Sequence, residues 1–132
     1  MKRYVLSLLA YVAATFTTQA TSHFVVNVHH YASVAHLRKE PFFSLGVLTM
    51  LIQGGILSWV YGRIAPPGRS IGDAVRFAWL AGAFLVSYIA LAEPAKYTVP
   101  AVLPWITVEG TAGLVQFTLF GVLLGLVWRG RA

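Results

Sequence analysis

The chain has 132 residues, of which 58% are hydrophobic and only 11% charged, with a mean hydropathy of +0.71. A soluble domain carries about 25% charged residues, so this composition excludes an ordinary water-soluble fold and predicts an all-α integral membrane protein, one domain over residues 1–132. The net charge of +6 does not form a nucleic-acid-binding stripe, because the Lys and Arg residues flank apolar segments, and the absence of cysteine excludes disulfides and thiolate metal sites.

Four apolar stretches of spanning length are predicted, at about residues 4–24, 42–64, 74–97 and 104–128, each near the ~20 residues that cross a hydrocarbon core of about 30 Å. The first follows Lys2 and Arg3 and ends in Thr18-Gln19-Ala20, an outline that imitates a secretory signal. Its apolar run passes smoothly into further helix-compatible sequence, so it is read as a retained span whose helix extends to about residue 37. The second is introduced by Pro41 and stopped by Ala65-Pro66-Pro67-Gly68. Asp73 marks the start of the third as a cap or first-turn acid, and Pro94 predicts a kink near its far end. Pro100 and Pro104 shape the start of the fourth.

Cations set the expected orientation. Lys2, Arg3, Arg63, Arg69, Arg76, Arg129 and Arg131 fall on one side, whereas Arg38, Lys39 and Lys96 fall on the other. Cytoplasmic loops are enriched in Lys and Arg, so the expectation is a four-transmembrane-helix bundle, both termini cytoplasmic (N-in/C-in), in a bacterial-type inner (plasma) membrane. Tyr4, Trp59, Tyr61, Trp79, Tyr97, Trp105 and Trp128 lie near span ends and read as interface anchors.

On that topology the ionisable residues gather toward the outer side. At 100° per residue Gln19, His23, Asn27 and His30 fall within an arc of about 80°, one polar stripe, whereas His29 and His36 point elsewhere and read as solvated. Glu109, Gly113 and Gln116 share a face of the fourth span, with space expected at the glycine. Gly46, Met50 and Gln53 share one on the second, and Ala83, Ser87, Ala90 and Glu93 one on the third, with Lys96 a turn beyond Glu93. Unpaired polar groups are costly in hydrocarbon, so these faces should meet inside the bundle. The predicted ligand or proton site is His23, Asn27, His30, Glu93, Lys96, Glu109, Gln53 and Gln116.

A divalent metal held by His23, His30, Glu93 and Glu109 is the sharpest chemical form of that site, because imidazole and carboxylate suit Zn, Fe, Mn or Cu(II). No H-x-x-x-H or H-E-x-x-H spacing supports it. Haem is disfavoured because every histidine lies within residues 22–37, so bis-histidine ligation would need a second copy of the chain. No catalytic motif is present, and Asp73 is the sole aspartate, which argues against an enzyme. The expected function is therefore binding or transport of a cation, proton or small ligand at an outward-facing intramembrane His/Glu site. The alternative is a non-catalytic accessory subunit, a homo-oligomer or part of a larger membrane complex, for which Gly121 and Gly125 offer a small-xxx-small contact. The bilayer is the one partner implied throughout, and no nucleic acid.

Overall fold

The computed structural model describes residues 1–65 and 68–129; Pro66, Pro67 and Arg131, invoked above as a helix stop and an inner-side cation, lie outside them. Every regular element among the described residues is helical. α1 (Lys2–Thr21) runs through a π-helical turn (Ser22–Val26) into the short α2 (Val28–Ala32). α3 is Phe43–Ile64; α4 (Ile71–Ser87) runs through a second π turn (Tyr88–Ala92) into α5 (Glu93–Lys96); α6 is Val102–Trp128.

Three segments are long and apolar enough to cross a membrane, Phe43–Ile64, Ile71–Lys96 and Val102–Trp128. The 20-residue α1 is not among them, because Thr15, Thr17, Thr18, Gln19 and Thr21 lower the hydropathy of its second half. Much of that polarity is used between helices, as the hydrogen bonds of Thr15 and Gln19 to Gln116 show.

α6 is the axis of the packing, with α4 along one side and α1 along the other, and α1 carries α3 on its own far side. Neighbours run antiparallel. Trp128 donates to Ser7 Oγ at 2.7 Å while Gln116 donates to Thr15 at 3.0 Å, which fixes α1 against α6. Gly62 faces Tyr4 and Gly54 faces Tyr11, fixing α3 against α1, and Gly125 faces Ile71 while Gly82 faces Phe117, fixing α4 against α6. The free ends of α1 and α6 therefore lie side by side. α3 and α4 touch little, their ring contact being Tyr61 on Phe77 beside the connecting loop, at 5.1 Å between centroids. Gly68 takes φ +71° in that loop, a conformation that glycine adopts without a Cβ penalty.

Lipid tails are as apolar as leucine, so helices associate in a bilayer through close packing and polar bonds rather than by leaving water. The core follows that logic. Ala74 and Ala78 of α4 and Ala10 and Ala14 of α1 let backbones approach, and Tyr11, Tyr61, Phe117, Phe120, Leu124 and Trp128 fill the space between. Tyr11 meets Phe120 edge-on at 5.0 Å and 90°, a geometry worth ~0.5–1.5 kcal/mol beyond area. A Cβ on Gly121 would lie 2.7 Å from Val75 Cα, and one on Gly125 2.7 Å from Ile71 Cα. The small-xxx-small pair is thus occupied by α4 of the same chain. Tyr61, Trp105 and Trp128, expected as interface anchors, are buried instead, whereas Trp59, Trp79 and Tyr97 are exposed.

Ser70 caps α4 reciprocally: its Oγ accepts from Asp73 N–H at 3.1 Å and its own N–H donates to Asp73 Oδ2 at 2.9 Å. Asp73 is therefore the third residue of a capping box. At the other end the kink expected at Pro94 takes the form of the π turn just before it. Pro94 has no N–H to offer the preceding turn, and the wider winding of residues 88–92 accommodates that loss.

Candidate functional site

Each π turn holds about one residue more than an α-turn, and the two of them decide which side chains face inward. In α1 the straight-helix stripe stops at Gln19, which donates to Gln116 Oε1 at 2.8 Å. Beyond residues 22–26 the register has advanced by one, and Tyr31 rather than His30 enters the core. Its hydroxyl donates to Glu109 Oε1 at 2.8 Å. Asn27 turns back to Ser22 Oγ at 2.9 Å, with that oxygen 3.5 Å from the Tyr31 hydroxyl. His23 stacks flat on Tyr31, 3.6 Å between centroids and 12° apart in plane, with Nδ1 3.0 Å from the Gln19 carbonyl. His30 packs edge-on to Tyr31 at 5.1 Å and lies 5.9 Å from Trp105, its Nε2 buried and without a hydrogen-bond partner. The histidines thus buttress Tyr31, and Tyr31 is the residue that reaches the carboxylate. Burial pushes the Tyr31 phenol pKa up, against the opposing pull of Ser22, and the Glu109 charge adds to the rise, so the hydroxyl keeps the proton it donates.

The third helix is turned from expectation before its own π turn. Ala83 and Ser87 are exposed, and the inward line runs Ala74, Ala78 and Gly82 along α4 and then Ala90 within the π turn. Ile89 within that turn offers its carbonyl to Trp105 Nε1 at 3.0 Å. Glu93 follows, half-buried, within electrostatic range of Glu109, His36 and Lys96. His36, read from sequence as merely solvated, comes 6.2 Å from the Tyr97 ring. Lys96 does not bond Glu93; its ammonium donates to the Tyr88 hydroxyl at 2.7 Å and lies 5.7 Å from the Tyr97 ring.

The expected face on α6 is intact. Glu109, Gly113 and Gln116 are all buried, although the space at Gly113 is taken by Val86, whose Cγ2 would lie 2.4 Å from an added Cβ. On α3 the inward residues are Met50, Gly54, Ser58 and Tyr61, with Gly46 facing open space. Gln53 lies beside them and accepts from the Tyr11 hydroxyl at 2.6 Å. Tyr11, Thr15, Ser22, Tyr31 and Trp105 were missed as site residues. Only Tyr11 had a usable signal, a phenol far from either end of an apolar span.

Faces of α1, α3, α4 and α6 wall a half-enclosed cavity of about 720 Å³, within the ~300–1,000 Å³ of small-molecule sites. Its polar lining is Tyr11, Gln19, Gln53, Glu109 and Gln116, with Ser87 and Tyr88 on the exposed side; its apolar lining includes Phe84, Leu85, Ile89, Leu91 and Phe117. Glu109 is 9% exposed and uses Oε1 for Tyr31. Its Oε2 and the Gln53 amide NH2 make no hydrogen bond among the described residues, and neither is a sealed, unpartnered atom. His23, Asn27, His30, Glu93 and Lys96 stand outside the cavity wall, above it or behind Tyr31. Among the described residues no three His, Asp or Glu side chains gather around a point where one ion could sit, because His23 and His30 pack against an aromatic ring instead of turning toward the carboxylates. The geometry offers a carboxylate oxygen and an amide donor at the wall of an apolar pocket, an arrangement that orients an organic ligand by its polar head.

Comparison with protein-family models, with curated proteins and with solved structures finds no match.

Proposed function

We propose that this chain is a four-span membrane protein, both termini cytoplasmic, that binds a small organic ligand through a hydrogen-bond-donating head at Glu109. The observation that carries the proposal is the 720 Å³ cavity with the carboxylate of the buried Glu109 at its wall and no Lys or Arg among its lining residues. Tyr31 already donates to one carboxylate oxygen, and a donor head would supply a partner for the other. α1 completes the four spans in this reading: it packs antiparallel to α6 along its length and draws its polar side chains into contacts with α6. The cation distribution along the chain gives the inward-facing ends.

Two measurements test this. The chain has no native cysteine, so Lys2→Cys, Lys39→Cys and Arg129→Cys are single reporters in intact cells. An impermeant maleimide should label Lys39→Cys alone, and the reverse pattern sinks the orientation. For the ligand, thermal unfolding of protein in lipid nanodiscs is followed against a panel of primary ammonium compounds of graded chain length. Stabilisation of the wild type and its loss in Glu109→Gln are expected; no stabilisation by any member overturns the binding reading.

A further inference from the structure

The proposed Glu109 site leaves open where its ligand comes from, and the shape of the cavity answers that. α3 and α4 meet through Tyr61 and Phe77 beside their loop and make few other contacts. The cavity occupies the gap beyond that meeting point: Gln53 is its lining residue from α3, while residues 84–92 form its α4 side. Phe84, Tyr88 and Leu91 in that stretch are 80%, 55% and 55% exposed. The segments at the outer end, residues 28–42 and 93–101, contribute no lining residue. The lining residues that are exposed, Phe84, Ser87, Tyr88, Ile89 and Leu91, all lie on the one stretch 84–92, so the cavity opens along it.

The order of wall chemistry from mouth to floor is equally directional. The rim is aromatic and aliphatic apart from the hydroxyls of Ser87 and Tyr88. The polar groups lie inside, Glu109 about 10 Å and Gln116 about 20 Å along α6 from its start, at 1.5 Å per residue. An amphiphile entering head first from the bilayer would leave its tail among Phe84, Ile89 and Leu91. Charge selects the head. Glu109 presents an oxygen that makes no hydrogen bond among the described residues, Glu93 lies within its electrostatic range, and no Lys or Arg lines the wall, although Lys96 bonds the hydroxyl of the lining Tyr88 at 2.7 Å and, with His36, faces Glu93. Like charges repel strongly where water is scarce, which rejects fatty acids and sulfates and favours an ammonium.

We infer that the ligand is a single-chain amphiphile with a cationic amine head, taken from the bilayer through the α3/α4 gap. This rests on the Glu109 site proposed above. The test uses protein in lipid nanodiscs and a long-chain primary amine bearing a diazirine on its tail, with crosslinks mapped by peptide mass spectrometry. Label is expected in residues 84–92. Dodecylamine should compete about tenfold better than dodecanol, dodecyl sulfate or butylamine, a difference of about 1.4 kcal/mol. Glu109→Gln should remove the preference for amine over alcohol. Ser87→Trp, at the exposed rim and away from the carboxylate, should block dodecylamine and spare butylamine. Butylamine competing as well as dodecylamine, with Ser87→Trp silent, would refute bilayer access while leaving the Glu109 site standing. Dodecanol equal to dodecylamine in the wild type would refute the cationic head. Label outside the cavity lining altogether, or competition by no amine at all, would refute both this inference and the site beneath it.

Discussion

Replacing Gly121 with alanine tests whether α4 and α6 are held by backbone proximity. The added Cβ would lie 2.7 Å from Val75 Cα, and ordinary contact begins at 3.4 Å, so the helices must part by about 0.7 Å, the difference of those distances. A backbone atom cannot rotate away, and overpacking of this kind costs ~1–3 kcal/mol. Alanine is also the better helix former by ~0.8–1.0 kcal/mol, which offsets part of the cost. Gly55→Ala and Gly110→Ala isolate that offset, because a Cβ at either position meets nothing within 4 Å. The gap between Gly121→Ala and these controls is thus the steric cost, expected at ~1–3 kcal/mol. Reversible unfolding in dodecyl maltoside micelles titrated with dodecyl sulfate, followed by far-ultraviolet circular dichroism, measures it. The double change Gly121→Ala with Gly125→Ala should cost less than the sum of the singles, since one displacement of α4 relieves both clashes. Equal stability of Gly121→Ala and Gly55→Ala, or strict additivity of the double change, would refute the reasoning.

Tyr31→Phe should destabilise by ~1–3 kcal/mol, because it strips the donor from a buried carboxylate oxygen, and a double-mutant cycle with Glu109→Gln should show coupling of at least ~0.5 kcal/mol; additive effects would mean that the bond contributes little. Gln116→Leu removes the bonds to Gln19 and Thr15 together and should cost about 1 kcal/mol by the same unfolding titration, at ~0.6 kcal/mol per bond in a bilayer. Ser70→Ala opens the capping box and should cost ~0.5–2 kcal/mol, seen as faster hydrogen exchange at Ile71, Gly72 and Asp73. Trp105→Phe leaves the Ile89 carbonyl without its indole donor, and exchange should quicken across residues 88–92 while α6 stays protected.

The helices were legible because apolar length and proline punctuation are local signals: α3 and α6 fall within two residues of expectation, as does the face carrying Glu109, Gly113 and Gln116. The identity of the site residues was legible only up to the first irregularity. A 100° wheel carried past residue 22 places His30 where the π turn delivers Tyr31, whereas Ala83 and Ser87 were misplaced within regular α4, one residue off the buried Ala74, Ala78 and Gly82 line. Nothing in Ser22-His23-Phe24-Val25-Val26 announces a wider turn; it arises from what the helix can reach, namely Glu109 for Tyr31 and Ser22 for Asn27. The pairing of Lys96 with Tyr88 rather than Glu93 was hidden for the same reason, since the intervening turn is not a simple α-turn. The cavity had no sequence signature, because it depends on α3 and α4 failing to pack, which no single residue encodes.

The side-by-side ends of α1 and α6 have a consequence for chain order. Trp128 donates to Ser7 and stacks edge-on to Tyr4 at 5.4 Å, so a short linker joining the last helix to the first would close the chain into a ring with little disturbance. A circularly permuted version opened between Lys96 and Val102 would then keep every helix contact while moving both termini to the opposite face. Such a chain would separate two things that the natural order confounds, the charge distribution of the loops and the helix that is synthesised first, as the determinant of how the bundle is inserted.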